Sequence, residues 1–463
     1  MFKDLFKGFL DLLEELFSRE EIWWLLIVVL IGSVFIIGIQ IDINFYALLF
    51  LILSTLKKIW WLLLFFILFF STKSLWLFWR SEIFKQKIKW VNLLIKIPRY
   101  TLKSPKAMEQ ILTSINSLGN FPTKFKDKFI KGQITRWYSL EIISIEGNVQ
   151  MLVRTDAAQA EIIKASFFAY YPEVEVSEVD DYLLDTPTDL QDLYFQGYDF
   201  WGAEIGLKNI GLYPIKTYSE FLENKDEEKV LDPISNFFEV LGKLKTNELG
   251  CIHILIKPQK NDWVKKYDAE FKALKEPKTV AKGTTSQVIV SRTPGETDKI
   301  KAVENNLSKP AFSAIIRVFY KAPLANFSSA FFSSGILGAF NQYSTINLNS
   351  FTVSSSLTVN KYQHFFKKTR ELVKKQRFLL KFIKRDIPPI TRMGRFIISN
   401  IFNWSFGADF FDINTECLAT IFHIPTKTVV SSIYMDVMTS KKVNPPVNES
   451  IFGQEKDIEK FIS

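Results

Sequence analysis

Cysteine and histidine are scarce in this sequence, which has two cysteines and three histidines in 463 residues. Cys251 and Cys417 lie far apart, so they form neither a C-x-x-C motif nor the disulfide framework of a small secreted protein. Three histidines also exclude a His-rich metal site. Cys251 and His253 face the same side of a predicted strand. Without further ligands nearby, we interpret them as a packed cysteine and a hydrogen-bonded histidine.

Motifs that carry catalytic chemistry are missing as well. The sequence contains no G-x-x-x-x-G-K-[ST], G-x-G-x-x-G or G-x-S-x-G, which are the loops that hold phosphates or present a nucleophile. The segment 173–192 has eight acidic and no basic residues, but it lacks the glycine-punctuated spacing of a calcium loop. We therefore expect no enzymatic activity, no metal and no cofactor, and an enzyme acting at the membrane is the least favoured alternative.

Long uncharged runs, by contrast, are prominent near the N-terminus. Residues 22–41 are 20 consecutive uncharged residues, which as a helix span about 30 Å, the thickness of one hydrocarbon core. We predict a transmembrane helix there. Residues 1–21 alternate apolar and charged positions at helical spacing, which predicts an amphipathic helix that lies either in the membrane interface or on the protein's own soluble part.

The next apolar stretch is interrupted by Lys57 and Lys58. One continuous helix would bring both lysines near mid-bilayer, at a cost of about 2.5–3.5 kcal/mol each. We therefore predict a second span at 59–79 and a separate re-entrant or interfacial piece at 43–56. Eight basic residues follow between positions 80 and 106, opposed only by Glu82. The positive-inside rule then puts the soluble domains on the cytoplasmic side of the inner membrane.

The soluble part alternates strand and helix patterns. Strands are predicted at 137–145 and 149–155 with a turn at Glu146-Gly147, followed by a helix from Asp156 and a strand at 174–182. A related order returns between Asp232 and residue 353. The fold class is therefore α+β, with N-terminal transmembrane helices, two ferredoxin-like α/β sandwich subdomains built on antiparallel sheets, and a basic amphipathic helix.

That basic helix is the strongest charge feature. Residues 361–395 contain twelve Lys and Arg against two acids, which accounts for the net charge of +9. Apolar residues such as Leu372, Leu379 and Ile383 fall on one predicted face. The other face would meet anionic lipid or nucleic acid, or would be an ordinary solvated surface. The predicted anion-binding residues are Lys367, Lys368, Arg370, Lys374, Lys375, Arg377, Lys381, Lys384 and Arg385.

Several segments resemble an uncharacterised bacterial family of membrane-anchored domains found N-terminal to type IV secretion or conjugation-type ATPases. These segments are SPKAME at 104–109, SLEI at 139–142, YYPEVEV at 170–176, YDFWGAEIGL at 198–207, YPIKTY at 213–218, LSKPAF at 307–312 and INTECLATIFHIP at 413–425. The chain ends 38 residues after Pro425, whereas in the fused relatives a motor domain follows. The resemblance therefore implies the anchor without the motor.

Together these patterns predict a non-catalytic membrane scaffold of a type IV secretion-like or DNA-transfer machine, which docks a separately encoded P-loop ATPase to the lipid bilayer. The alternative is a membrane-anchored nucleic-acid-binding module that uses residues 361–385. We also expect a homo-oligomer. The predicted organisation is an amphipathic helix (1–21), a transmembrane region with two spans (22–80), a basic linker (81–135), two α+β subdomains (136–230 and 231–360), the basic helix (361–396), a strand and helix segment (397–435) and a polar tail (436–463).

Overall fold

The structure is a computed structural model, which describes residues 45–97, 103–221, 232–276, 279–281, 287–289, 292–357, 367–389, 391 and 410–425. The chain divides into two compact units, Met1–Lys73 and Ser74–Ser463. The predicted amphipathic helix at 1–21, the predicted span at 22–41 and the polar tail at 436–463 lie outside the described residues.

The first described element is one long helix, α1 (Phe45–Gln86). It contains no proline or glycine, so nothing in its backbone chemistry ends it at the lysine pair. The expected break between a 43–56 piece and a 59–79 span is therefore wrong for the described residues, since α1 continues through Lys57 and Lys58. By length and composition alone, the part Lys57–Gln86 is able to cross a membrane, and its most apolar window is not buried.

A continuous antiparallel sheet forms the centre of the second unit. Within the described residues it has nine strands, in the order β10-β5-β9-β6-β2-β3-β1-β4, with β11 paired to one end of β9. The strands are β1 (Trp90–Lys96), β2 (Tyr138–Ile145), β3 (Asn148–Asp156), β4 (Glu175–Val179), β5 (Tyr198–Leu207), β6 (Leu249–Pro258), β9 (Ala311–Pro323), β10 (Phe351–Ser356) and β11 (Phe411–Asn414); β7 (Thr279–Ala281) and β8 (Gln287–Ile289) form a separate hairpin.

The remaining helices connect these strands. They are α2 (Lys106–Ser117), α3 (Ala157–Tyr170), α4 (Leu190–Phe195), α5 (Tyr218–Phe221), α6 (Ser235–Gly242), α7 (Asp268–Lys275), α8 (Pro294–Leu307), α9 (Ser329–Asn341), α10 (Lys367–Lys384) and α11 (Thr415–Ile421). A π-helical turn at Lys126–Ile130 and 3₁₀ turns at Asn261–Tyr267 and Leu324–Asn326 complete the set.

The sheet consists of two halves with the same connectivity. In the first half the chain runs β1-α2-β2-β3-α3-β4 and the strands stand in the order β4-β1-β3-β2. In the second half β5, β6, β9 and β10 follow one another, with α6 after β5 and α9 after β9, and they stand in the order β10-β5-β9-β6. The halves meet where β2 pairs antiparallel with β6, with Ile142 opposite Ile252.

This topology corrects the predicted domain boundaries. Segment 81–135, expected to be a linker, contains β1 and α2, and β1 pairs with both β3 and β4. Strand β5, which falls inside the expected first subdomain, pairs with β9 and β10 of the second half. Sequence periodicity shows that a segment is a strand, but pairing partners are set by non-local packing.

Local signals in the first half are confirmed. Strands β2 and β3 are joined by Glu146 and Gly147, whose φ angles are 55° and 87°, as a two-residue hairpin turn with both central residues at positive φ requires. The carboxylate of Asp156 accepts a hydrogen bond from the backbone N–H of Ala158 at 3.1 Å, so Asp156 caps α3 as expected. The two faces of the sheet carry different helices: α2, α3, α6, α9 and α11 cover one face, and α4 and α10 cover the other.

Candidate anionic-surface helix and the ion network beneath it

The predicted basic helix lies on the sheet as α10, and its buried side matches the predicted apolar face only in part. Phe378, Leu379 and Phe382 are buried, whereas Leu372 is 50% exposed. The ring of Phe382 stacks on that of His253 in β6, with centroids 4.1 Å apart. Phe378 fits over Gly202 of β5, where a Cβ atom would overlap the phenyl ring. The buried stripe therefore keeps Leu379 of the predicted face but also includes Phe378, Phe382 and Arg385.

The position of this buried stripe determines how exposed each of the predicted anion-binding residues is. Lys368 and Lys384 are exposed, and the side chain of Lys367, the first residue of α10, lies outside the described side chains. Five others are half-buried, namely Arg370, Lys374, Lys375, Arg377 and Lys381. Arg385 is 1% exposed. The nine cations therefore do not form one exposed face.

Two of these lysines show how burial alters their chemistry. The ammonium of Lys375 contacts the Asp199 carboxylate at 2.8 and 3.1 Å and the Tyr194 hydroxyl oxygen at 3.1 Å. Burial alone would lower the pKa of Lys375, but these partners raise it. Burial lowers the pKa of Lys381, and the Glu204 carboxylate offsets that effect only in part. The ammonium of Lys375 is thus already paired with Asp199 inside the protein.

Arg385 forms the centre of a buried ion network. It follows the last turn of α10 with φ at 47°, a left-handed conformation that commonly ends helices. Its guanidinium contacts Glu141 at 3.0 and 3.1 Å and Asp181 at 2.6 and 2.8 Å. Two bidentate pairs on one guanidinium occupy its donors. The expectation that Arg385 binds an external anion is therefore wrong.

His253 and Tyr182 extend the network along the sheet. Glu141 lies directly opposite His253 in the β2–β6 pairing, and the Tyr182 hydroxyl contacts both side chains. Burial lowers the pKa of His253 to about 3, against the Glu141 carboxylate, which raises it. Burial opposes ionisation of Glu141, yet Arg385 holds the pKa of Glu141 below its usual range. Glu141 is therefore the charged partner, and His253 is neutral near pH 7.

A second arginine fixes the C-terminal end of α10. Arg317 of β9 is 1% exposed and contacts Glu204 of β5 at 3.0 Å. It also donates to the carbonyl oxygens of Lys381 at 3.1 Å and Asp386 at 2.7 Å. A cation at this position satisfies carbonyls that have no partner within the helix. The carboxylate of Asp386 in turn contacts Lys85 near the end of α1 at 2.9 Å.

Sequence reasoning missed Glu141, Glu204 and Arg317 as a set. Each is a single charge inside an otherwise apolar strand, as in SLEII, WGAEIGL and AIIRVFY. Because a charge is rarely buried without a partner, isolated charges of opposite sign in separate buried strands are a usable signal of an internal ion pair. Cys251 agrees with the packed interpretation, since it is fully buried and burial raises the pKa of its thiol.

The opposite face of the sheet contains a second ion cluster, around Lys309. Its ammonium contacts Glu109 at 2.9 Å and Glu416 at 2.7 Å. The hydroxyl of Tyr218 donates to the Glu109 carboxylate at 2.5 Å. These four residues belong to the segments 104–109, 213–218, 307–312 and 413–425, which carry the family resemblance. Four of the seven segments therefore meet at one point in the fold.

The segment 413–425 is buried along its whole length. Its His423 contacts Asp232 at 2.9 Å and the carbonyl oxygen of Ala419 at 2.8 Å. Within the described residues, no group of three or more His, Cys, Asp and Glu side chains is arranged to hold a metal ion. In the structure, these polar residues join parts of the chain that are far apart in sequence.

The sequence matches no protein-family model and has no significant match among curated proteins. The family resemblance therefore rests on the seven segments of sequence alone.

Proposed function

We propose that the protein is a non-catalytic scaffold of a type IV secretion-like or DNA-transfer machine, anchored in the cytoplasmic membrane by α1. In this role the sheet domain faces the cytoplasm and docks a separately encoded P-loop ATPase. The observation that carries the proposal is the apolar helix α1, whose most apolar window is unburied and which ends four residues before β1. The resemblance described above supplies the type of machine.

Anchoring is supported by the side chains of α1. Trp60, Trp61, Phe65 and Ile67 are exposed, and water is an unfavourable environment for so many large apolar groups on one helix. A span that starts after Lys57 and Lys58 leaves both ammonium groups at the membrane surface, where they avoid the cost of burial in the hydrocarbon core. Trp76 and Trp79 then fall at the other boundary, as interfacial tryptophans do.

A scaffold role is supported by the use that the fold makes of its buried charges. Lys309 joins α2 to α11, and Arg385 joins the end of α10 to β2 and to Asp181. The Arg385–Glu141 pair is fully buried and holds its elements in one arrangement, because breaking it leaves an uncompensated charge. Lys309 and Asp181 are half-buried. We further propose that the two halves of the sheet are ferredoxin-like units. Their shared strand order, with the chain's first strand at an inner position, supports this assignment.

Orientation is tested by thiol labelling of intact cells with a membrane-impermeant maleimide. Native Cys251 and Cys417 are buried, so single introduced thiols give a low background. We expect Asp42→Cys to react in intact cells and Gln196→Cys, on the exposed surface of the sheet domain, to react only after lysis. Labelling of Gln196→Cys in intact cells would overturn the proposed orientation.

Docking is tested by membrane flotation with any P-loop ATPase whose gene lies beside that of this chain. We expect that ATPase to float with membranes when the full chain is present and to stay in the soluble fraction when a chain that begins at Ser74 replaces it. An ATPase that remains soluble beside the full chain contradicts the docking role.

A further inference from the structure

The segment 124–131 is an exposed element with an unusual mixture of side chains. It contains the π-helical turn Lys126–Ile130. Phe125 is 62% exposed and Ile130 is 53% exposed, although both are large apolar residues. The segment also exposes four lysines, Lys124, Lys126, Lys128 and Lys131. Its only acid, Asp127, is paired with Lys131 at 2.8 Å.

This segment is attached to the last turns of α1. The indole N–H of Trp76 donates to the carbonyl oxygen of Phe129 at 2.8 Å, and the guanidinium of Arg80 donates to the carbonyl oxygen of Ile130. Gly132 follows with φ at 66°, and a Cβ atom there would overlap the carbonyl oxygen of Arg80. Only glycine allows so close an approach in that conformation. The segment is thus held at the level of Trp76.

Both the position of segment 124–131 and its side chains point to contact with the lipid headgroup layer. Trp76 and Trp79 are exposed, with ring centroids 5.3 Å apart, and paired tryptophans at the end of an apolar helix are typical of the lipid headgroup layer. Exposed apolar side chains beside lysines fit the same layer, where phenyl groups reach the acyl boundary and ammonium groups meet lipid phosphates. Nucleic acid would also use the lysines, but the exposed tryptophan pair at the same level favours lipid.

We propose that segment 124–131 is a second membrane-contacting element, which inserts Phe125 and Ile130 into the headgroup layer of an anionic leaflet beside α1. This inference rests on the proposed anchoring by α1 and adds a lipid preference to it. Its hydrogen bonds to Trp76 and Arg80 join the segment to the last turns of α1.

The test uses the full chain in nanodiscs of phosphatidylcholine with one third phosphatidylglycerol. Single-cysteine variants carry an environment-sensitive fluorophore at Phe125→Cys, at Phe65→Cys within α1, and at Phe195→Cys, whose native side chain is 86% exposed on α4. All three positions are exposed, so the substitutions leave the fold intact. Spin-labelled lipids with the quencher either near the headgroup or deep in the acyl chain then report depth.

We expect the label at position 125 to be quenched more strongly by the shallow than by the deep spin label, the label at 65 to be quenched by the deep one, and the label at 195 by neither. The triple variant Lys124→Gln/Lys126→Gln/Lys128→Gln should weaken insertion in anionic discs by about fivefold per lysine. In discs of phosphatidylcholine alone, the same variant should match the parent.

Each contrary outcome has a separate meaning. Quenching at 65 without quenching at 125 overturns this inference and leaves the anchoring by α1 standing. Absence of quenching at 65 overturns the anchoring and the inference with it. Equal quenching at 125 in both disc types, unaffected by the triple variant, overturns the anionic preference. Protection of the 125 label by duplex DNA but not by lipid assigns the segment to nucleic acid and overturns the proposal.

Discussion

At the scale of single residues, Arg385 and His253 decide the environment between α10 and the sheet. Arg385 pairs with two carboxylates, Glu141 and Asp181, and His253 fits between Glu141 and the ring of Phe382 without a charge of its own. Both pairs are bidentate, and Asp181 is partly exposed, so solvent helps to compensate the second carboxylate.

Removing the guanidinium should strongly destabilise the sheet domain. In Arg385→Met the buried Glu141 loses its neutralising partner, and we expect the free energy of unfolding to fall by about 3–5 kcal/mol. Thermal unfolding followed by tryptophan fluorescence measures the change. The exposed neighbour gives the matched control, and Lys384→Met should change stability by about 0.5 kcal/mol or less. We expect the double variant Arg385→Met/Glu141→Leu to recover part of the lost stability, because it removes the unpaired carboxylate as well. If Arg385→Met alone is as stable as the parent protein, the ion pair does not have the proposed role.

His253 makes stability depend on pH in a defined direction. Its pKa is about 3 in the folded protein and about 6.5 in an unfolded chain. Between these values the unfolded chain binds the additional proton, so stability falls as pH falls below about 6.5, by up to about 1.4 kcal/mol per unit. Unfolding measured from pH 8 to 5 should show a shallower dependence for His253→Gln. Above pH 7 the parent and His253→Gln should show the same dependence of stability on pH, because His253 is neutral there in both the folded and the unfolded chain.

At the scale of elements, α10 and its C-terminal end carry some cations that are paired inside the protein and others that face the solvent. Its C-terminal half is held by Phe378, Phe382, Arg317 and Arg385, whereas Lys368 and Lys384 face outward. Among the described side chains of α10, Lys368 and Lys384 are therefore the cations most accessible to an external anion.

This division yields a prediction for the nucleic-acid alternative. With the full chain in phosphatidylcholine nanodiscs, duplex DNA binding is measured across salt concentrations. If α10 binds DNA, Lys368→Gln/Lys384→Gln should reduce the slope of log affinity against log salt by up to about 0.9 for each phosphate that is no longer neutralised. Lys375→Gln is the control, since its ammonium is held by Asp199, and it should leave the slope unchanged. DNA binding that is unaffected by the double substitution excludes Lys368 and Lys384 as its contacts.

At the scale of the whole molecule, the sheet depends on a strand that lies beside the membrane helix in sequence. Strand β1 begins four residues after α1 ends and stands between β3 and β4. Leu93 and Ile95 of β1 are buried in the main core. The sheet domain therefore starts before β1, where the sequence alone indicates a basic linker.

Truncation should expose this dependence. A chain that begins at Ile97 loses β1 and separates β3 from β4, so we expect aggregation or loss of cooperative unfolding. A chain that begins at Ser74 retains the second compact unit and should unfold in one cooperative transition. Differential scanning calorimetry compares the two. A cooperative transition in the chain that begins at Ile97 would show that β1 is dispensable.

The sequence by itself determined the local features of this protein. The apolar run at residues 59–79, whose one charged residue is Lys73, predicts a helix because apolar side chains without proline or glycine favour one, and α1 contains it. Glu146-Gly147 predicts the hairpin because a two-residue loop needs positive φ angles. Asp156 predicts the start of α3 because its carboxylate satisfies a free N–H group. Each signal acts over a few residues.

Only the tertiary structure decided which elements meet. The pairing of β2 with β6, the inner position of β1 and the convergence of Glu109, Lys309 and Glu416 join residues far apart in the chain. The burial of Arg385 follows from the same cause. Helical periodicity identifies an apolar stripe, but the shape of the sheet selects which stripe is covered, and here it covers Phe378 and Phe382. The basic composition of residues 361–395 is evident from the sequence, whereas the burial of Arg385 depends on the carboxylates of Glu141 in β2 and of Asp181.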